Sequence, residues 1–341
     1  MTTFFLNRLA TEPHALAFAG QSTPWPVALA DQTTDPSLDE ALRGHVAAAG
    51  RLLTPVAADL LATTGRPVDL FGFAPNPARL GAAADATASV EGVALTQLGA
   101  LLDLEHLGYS VAQAKPLAVL GHSQGVLAVH MTRAIEAAGS IEAAGTTLDE
   151  ILAVAALIGA AGTRRVRELG LNPKYGEASP MLSVKGATRA QVEALVARVN
   201  NARGPISIAV TNSDNHHVLS GYPEDLAAFA LEAEREHQHQ AKLREQKLHG
   251  GTVFNPTLEY LEVTLPFHSP LMADAVEQTV AWAGACGFDQ KRTRALAEEV
   301  LLNHVDWNAR VKALFDDADP SKLWIVDLGP GNTLGKLIGN L

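Results

Sequence analysis

Five consecutive residues, Gly121-His122-Ser123-Gln124-Gly125, carry the pattern G-x-S-x-G between an apolar run (PLAVLG, ending at Gly121) and an apolar helix reaching about Ala138. On so tight a strand-to-helix turn a Cβ at either flanking glycine would clash, and the serine hydroxyl stands exposed above the sheet. The helix behind it offers free N–H groups and a positive dipole end to a developing oxyanion. This is the setting of a nucleophile in acyl chemistry. Such a serine needs a base within hydrogen-bond reach, and histidine is the usual one. The chain has 12 histidines. His122 adjoins the serine in the turn. His216 and His217 read as solvated turn residues, and His237, His239 and His249 ride a charged helix, where a spacing of two sets the first pair on different faces and argues against a metal site. His268 stands apart. It sits in LPFHSPLM (265–272), between a strand-like run and a helix that Ser269-Pro270 would start. A loop histidine at a strand's end is well placed to meet a nucleophile on another loop.

These two loops require a scaffold. His14 to Gly20 (HALAFAG) reads as a buried strand. Leu38, Leu42, Val46, Leu53, Val56 and Leu60 mark a helix kinked at Pro55, residues 65–88 a surface connection, and Val90 to Leu107 a second helix. With the strand ending at Gly121 and its helix, the alternation implies a parallel sheet covered on both faces. The texture then changes: PMLSVKG from Pro180 reads as a strand, Arg189 to Val199 as a helix, Ile206 to Thr211 and His217 to Gly221 as strands, and Pro223 to His249 as a long charged helix. That order suits a small split-βαβ module inserted in the larger sheet. The main sheet is expected to resume near Val263 and to end with LWIVDL (323–328), closed by Gly329-Pro330-Gly331.

Composition narrows the function. The 341 residues suggest about two folding units, and 47% hydrophobic with 18% charged residues supports a sizeable core. A net charge of −11 repels phosphate backbones, which excludes nucleic acid as a partner. Neither G-x-G-x-x-G nor G-x-x-x-x-G-K-[ST] occurs, so dinucleotide binding drops out. One cysteine, Cys286, forms no internal disulfide and fits a reducing cytoplasm. Asn7, Arg8, Glu12, Pro13 and His14 interrupt the apolar N-terminus, leaving no signal-peptide core, and no run approaches the ~18 apolar residues that cross a bilayer.

Gly121–Gly125, the downstream PFHSPLM (266–272), the N-terminal Phe18-Ala-Gly-Gln21 and the C-terminal Asp327-Leu-Gly-Pro-Gly331 occur in an order that resembles the malonyl-CoA:acyl-carrier-protein transacylase superfamily. GHSQG and the long insert helix look most like the acetyltransferase (starter) domain of bacterial and fungal type I fatty acid synthases. The resemblance spans nearly the whole chain. It implies an α/β fold: an α/β-hydrolase-like subdomain from residues 1–177 and 266–341, with a ferredoxin-like subdomain at 178–265 and the active site in the cleft between them. It makes Ser123 the nucleophile and His268 the base, assigns the oxyanion hole to the backbone N–H groups of Gln21 and Gln124, and orients His268 by a backbone carbonyl near Val300. Asn212 and His122 would line the substrate pocket. Malonyl-selective relatives carry an arginine where the alignment puts Ile158, while Arg164 and Arg165 would point elsewhere. An apolar residue there leaves a malonyl carboxylate buried and unpaired, which favours acetyl. The implied reaction is ping-pong transfer from acetyl-CoA to the phosphopantetheine thiol of an acyl carrier protein, among the other domains of a multienzyme synthase, with no tightly bound cofactor and no metal. Two alternatives use the same elbow: a malonyl or palmitoyl transferase, and a serine esterase or thioesterase. A third, a non-catalytic carrier-docking scaffold, leaves the elbow unused.

Overall fold

The computed structural model describes residues 8–9, 11–21, 23–73, 85–171, 178–199, 205–247 and 253–339. In chain order the elements are β1 His14–Phe18, α1 Trp25–Gln32, α2 Pro36–Leu52, α3 Ala57–Thr64, α4 Ala86–His106, α5 Val111–Ala114, β2 Ala118–Gly121, α6 Val126–Ala138 and α7 Ile141–Glu168. They continue with β3 Met181–Lys185, α8 Arg189–Arg198, β4 Ser207–Ser213, β5 His216–Ser220, α9 Pro223–Glu245, β6 Thr257–Tyr260, α10 Ala273–Ala285, α11 Gln290–Leu301, β7 Val305–Asp306, α12 Trp307–Asp317, β8 Trp324–Asp327 and α13 Thr333–Ile338.

The main sheet is three-stranded, ordered β2-β1-β8, and both of its pairings are parallel. Every side chain of β1 is buried, as a strand covered on both faces should be. The kink expected at Pro55 is a full break. Asp35 caps α2 by accepting from the N–H groups of Ser37 and Leu38, a single 3-10 turn (Thr54–Val56) holds Pro55, and α3 leaves at 56° to α2. Of the connection expected at 65–88, residues 74–84 lie outside the described residues, and α4 begins at Ala86 behind an Asp85 cap. Helix α7 is long and apolar enough to cross a bilayer by length and composition, yet 61% of that window is buried inside the fold, against α4, α6 and α10 among others.

The second sheet has the order β6-β3-β5-β4-β7. Period-two alternation splits its faces. Leu182, Val184 and Leu219 pack with Val192, Leu226 and Phe229 of α8 and α9, while Met181, Val210 and Val218 join the main core. Thr188 and Gln191 form a capping box that starts α8. Two features differ from expectation. No strand resumes at Val263: Leu265 and Phe267 are buried in irregular backbone, because Pro266 between them has no N–H to give a ladder, and the strand forms earlier as β6 on the insert's edge. The segment Val305–Asp306, expected with the main subdomain, pairs in parallel with β4 and so extends the insert's sheet.

Beside α7, a cavity of about 370 Å³ is lined by apolar groups that include Leu53, Leu60, Ala156 and Ala160, together with Glu91. Burial pushes the Glu91 carboxyl up to about 7.

Candidate active site

Strand β2 ends at Gly121, and a 3-10 turn of Ser123–Gly125 leads straight into α6. The turn is as crowded as the motif demands. A Cβ at Gly121 would lie 2.5 Å from the Val126 nitrogen, and one at Gly125 would lie 2.2 Å from the Phe18 carbonyl oxygen. Ser123 is held at φ +53°, the left-handed region that a serine rarely adopts, which lifts its side chain off the turn. A guanidinium nitrogen of Arg310, on α12, donates to the Gly121 carbonyl at 2.7 Å and ties the elbow to the C-terminal part of the chain.

His268 meets this serine. Its Nε2 lies 2.7 Å from Ser123 Oγ, and its Nδ1 donates to the Asn303 carbonyl at 2.7 Å. That second bond places the proton on Nδ1 and leaves Nε2 to accept from the hydroxyl. The ring is 2% exposed, and burial pushes its pKa down from the usual 6.5 to about 3, against the Asn303 carbonyl, which favours the charged form. His268 is therefore neutral and able to take a proton at any ordinary pH. Its orienting carbonyl belongs to Asn303, not Val300. Val300 is fully buried in the last turn of α11, whereas Asn303 follows the helix end and is the residue whose carbonyl meets Nδ1.

The other expected pocket residues separate into two groups. His122 and Asn212 lie together, His122 Nε2 donating to Asn212 Oδ1 at 2.8 Å, with the His122 ring edge-on to Trp307 at 5.3 Å. Burial also holds His122 below the usual histidine range, so it too is neutral. Gln21 lies alongside: its side-chain amide donates to Gln124 Oε1, and Gln124 Nε2 donates to the Val90 carbonyl. Ile158 is elsewhere. It is wholly buried on α7 and is not among the residues lining the cleft; one turn on, Gly162 packs so closely on Leu265 that a Cβ would meet it at 2.3 Å. Arg164 pairs with Glu168, while Arg165 pairs with Asp274 and donates to the Leu271 carbonyl, so both are engaged outside the cleft.

The cleft itself has a volume of about 640 Å³ and opens between the elbow and the face of the second sheet that carries Met181, Val210 and Val218. Sequence reasoning missed several of its residues. His216 and His217 are strand residues, not solvated loop residues, because the turn is Asp214-Asn215 and β5 begins immediately after it. Alternation then sends His216 into the cleft and buries His217 completely. His216 Nε2 is 3.0 Å from Ser183 Oγ and 3.5 Å from Asn212 Nδ2. Lys185 and Glu259 face each other across β3 and β6 at 3.2 Å. The period of two in each strand could have found His216, Ser183 and Lys185. The Asn303 carbonyl could not be found that way, since a backbone group carries no residue signal. Among the helix histidines, His237 Nδ1 donates to the Phe254 carbonyl at 2.7 Å, and His249 lies outside the described residues. Among the described residues no group of three or more His, Cys, Asp or Glu converges on a metal position.

Elbow, histidine and two-sheet cleft define the class. Residues 180–260 match the family model described as the fatty acid synthase central AT domain. The chain is 26% identical over 251 residues to the fatty acid synthase beta subunit TOXC of Cochliobolus carbonum, a match covering 63% of this chain and 12% of that protein. It thus spans about an eighth of that relative's length. Among solved structures it is similar to FabD from Acinetobacter baumannii (TM-score 0.60, 18% identity, 97% of this chain and 91% of that one). It is also similar to PlMCAT, a malonyl-transacylase in complex with the type II PKS acyl-carrier protein AntF (TM-score 0.65, 16% identity, 96% and 92%). The fold is that of the malonyl-CoA:acyl-carrier-protein transacylase superfamily. More narrowly, residues 180–260 are similar to the central AT domain of fatty acid synthases.

Proposed function

We propose that the protein transfers an acetyl starter group from acetyl-CoA, through an acyl-serine, to the phosphopantetheine thiol of an acyl carrier protein. The observation that carries the reading is the 2.7 Å contact of Ser123 Oγ with the Nε2 of a neutral His268. Nε2 takes the hydroxyl proton as Oγ attacks the thioester carbonyl, and returns it to the departing CoA sulfur. The acceptor thiol then attacks the acyl-serine, with His268 again holding its proton. The backbone N–H groups of Gln21 and Gln124 form the oxyanion hole. In support, the missing side chain of Gly20 lets that backbone close on the serine: a Cβ there would lie 2.8 Å from Ser123 Cβ and 3.3 Å from the Gln124 nitrogen.

The preference for acetyl rests on the cleft's charges. Its described lining holds no arginine, and its cations are Lys185, paired with Glu259, and Lys336. A malonyl carboxylate beside Ser123 would lack the bidentate partner that a guanidinium provides, and an unpaired buried charge costs several kcal/mol (order of magnitude). The missing guanidinium is a property of the whole described lining, in which Ile158 has no part. A carrier protein as acceptor is supported by the likeness to a transacylase that binds one. With a single cysteine, the composition suits a cytoplasmic setting within a multienzyme synthase.

Intact-protein mass after brief mixing with acetyl-CoA or malonyl-CoA tests the reading, with Ser123→Ala alongside. One acetyl adduct that requires Ser123, with malonyl loading much poorer, is expected. Equal or better malonyl loading would overturn the starter assignment. Steady CoA release without an adduct would make the protein a thioesterase, and neither adduct nor CoA would make it a scaffold.

A further inference from the structure

The cleft-facing side chains of the second sheet are not mixed. In register, Met181 of β3 stands beside Ser220, Ser183 beside Val218 and Glu259, and Lys185 beside His216. By this register the Met181 end of β3, joined to Leu261 by a backbone hydrogen bond, is apolar, whereas Lys185, Glu259, His216 and Ser213 gather at its other end, with Ser183, Val210 and Val218 lining the stretch between. Ser123 and Asn212 lie on the lining of the same cleft. A thioester has matching asymmetry: a small apolar acyl group on one side of the reacting carbonyl, and an arm carrying two amides on the other.

The hydrogen bonds fix what His216 presents to that arm. Asn212 Oδ1 accepts from His122 Nε2, so the amide nitrogen of Asn212 is turned to His216, and an amide N–H can only donate. His216 Nε2 has one lone pair: it accepts the Ser183 hydroxyl at 3.0 Å, and the Asn212 N–H faces the same nitrogen at 3.5 Å. The ring proton then sits on Nδ1, which has no partner among the described residues. Burial and the Lys185 ammonium hold the ring neutral, with its pKa down to about 4. His216 is thus a single-tautomer donor in the wall of a cleft, with Ser183 and Asn212 beside its Nε2.

We propose that His216 is an amide-recognition residue: its Nδ1–H donates to an amide carbonyl of the pantetheine arm that CoA and the carrier's prosthetic group share, with the arm along the polar end and the acyl group at the apolar end. This rests on the acyltransfer reading above. The site recognises the arm in either donor or acceptor, while the nucleotide end of CoA plays no part in it.

The test compares Ser123 acylation rates with acetyl-CoA, S-acetylpantetheine and S-ethyl thioacetate, which lacks amides, in the wild type, His216→Phe and His216→Asn. In the wild type, kcat/KM for both amide-bearing thioesters exceeds that for ethyl thioacetate. His216→Phe should reduce both amide-bearing ratios by about tenfold, the effect of one hydrogen bond, mainly through KM, and His216→Asn, which keeps an N–H donor, should recover part of the loss. A parallel fall with all three thioesters would make His216 merely structural and overturn the proposal. A loss confined to acetyl-CoA would put the contact on the nucleotide and overturn it too. Absence of acylation by any thioester in the wild type would instead overturn the acyltransfer reading itself.

Discussion

Ser123 and His268 share a backbone conformation. Both are non-glycine residues in the left-handed region, at φ +53° and +56°, and they face each other across 2.7 Å. A left-handed non-glycine residue is held there only when its surroundings over-determine it, at roughly 1–3 kcal/mol each. The two ends of the proposed proton transfer are therefore set by the fold before any substrate arrives.

That geometry makes the dyad separable by mutation. Ser123→Ala should abolish the acyl adduct outright. His268→Ala should retain the nucleophile but slow its acylation by roughly 10²–10⁴-fold, the usual worth of a positioned base. Rapid-quench mass spectrometry reads both, and a His268→Ala protein that acylates at the wild-type rate would remove the histidine from the mechanism.

The pH profile should lack the usual histidine limb. With its pKa pushed to about 3, His268 is already neutral at pH 5, so kcat/KM for acylation should be flat from pH 8 down to about 5 and fall only below that. An acid limb with a midpoint between 6 and 7 would contradict the burial of the ring.

Gly125→Ala probes the elbow without touching its chemistry. The new methyl group would overlap the Phe18 carbonyl, which is backbone and has nowhere to move within the central strand β1. A loss on the order of 2–4 kcal/mol is expected, as for other severe overpacking, seen as a lower urea midpoint. An unchanged midpoint would mean that the turn is looser than described.

Glu91 predicts a stability that declines toward neutral pH. Its carboxyl is at about 7 in the folded chain against 4.5 ordinarily, so between those values the folded state holds the extra proton. Stability falls as pH rises through that window, by about 3 kcal/mol in all, and levels off above it. Glu91→Gln should remove this fall and leave the protein more stable than wild type at pH 8. Chemical denaturation of both proteins at pH 5 and pH 8 decides it: equal pH dependence in the two would place the titration on another group.

The elbow, the histidine beside it and most helices were legible in the sequence because each carries a local signal: glycines that a turn requires, Ser269-Pro270 at a helical start, apolar spacing along α2 and α4. What was not legible depends on partners far away in the chain. The Asn303 carbonyl is defined only by what folds against it. Strand β7 is two residues long and exists because β4 lies beside it. His216 looks solvated in the sequence because the strand is taken to begin at His217, one residue late. Ile158 illustrates the limit of alignment: burial on α7 is decided by close contacts such as that of Gly162 with Leu265, which the sequence does not display.

Asn303 and Val305 are two residues apart, yet one grips the imidazole of His268 and the other is zipped to β4 of the insert. His304 between them is pinned as well, its Nε2 3.1 Å from Thr211 Oγ1. A rocking of the insert on the main sheet would drag this short segment and turn the imidazole with it. The segment is a mechanical link: two residues of backbone join the strand pairing of β4 to the hydrogen bond that holds the imidazole.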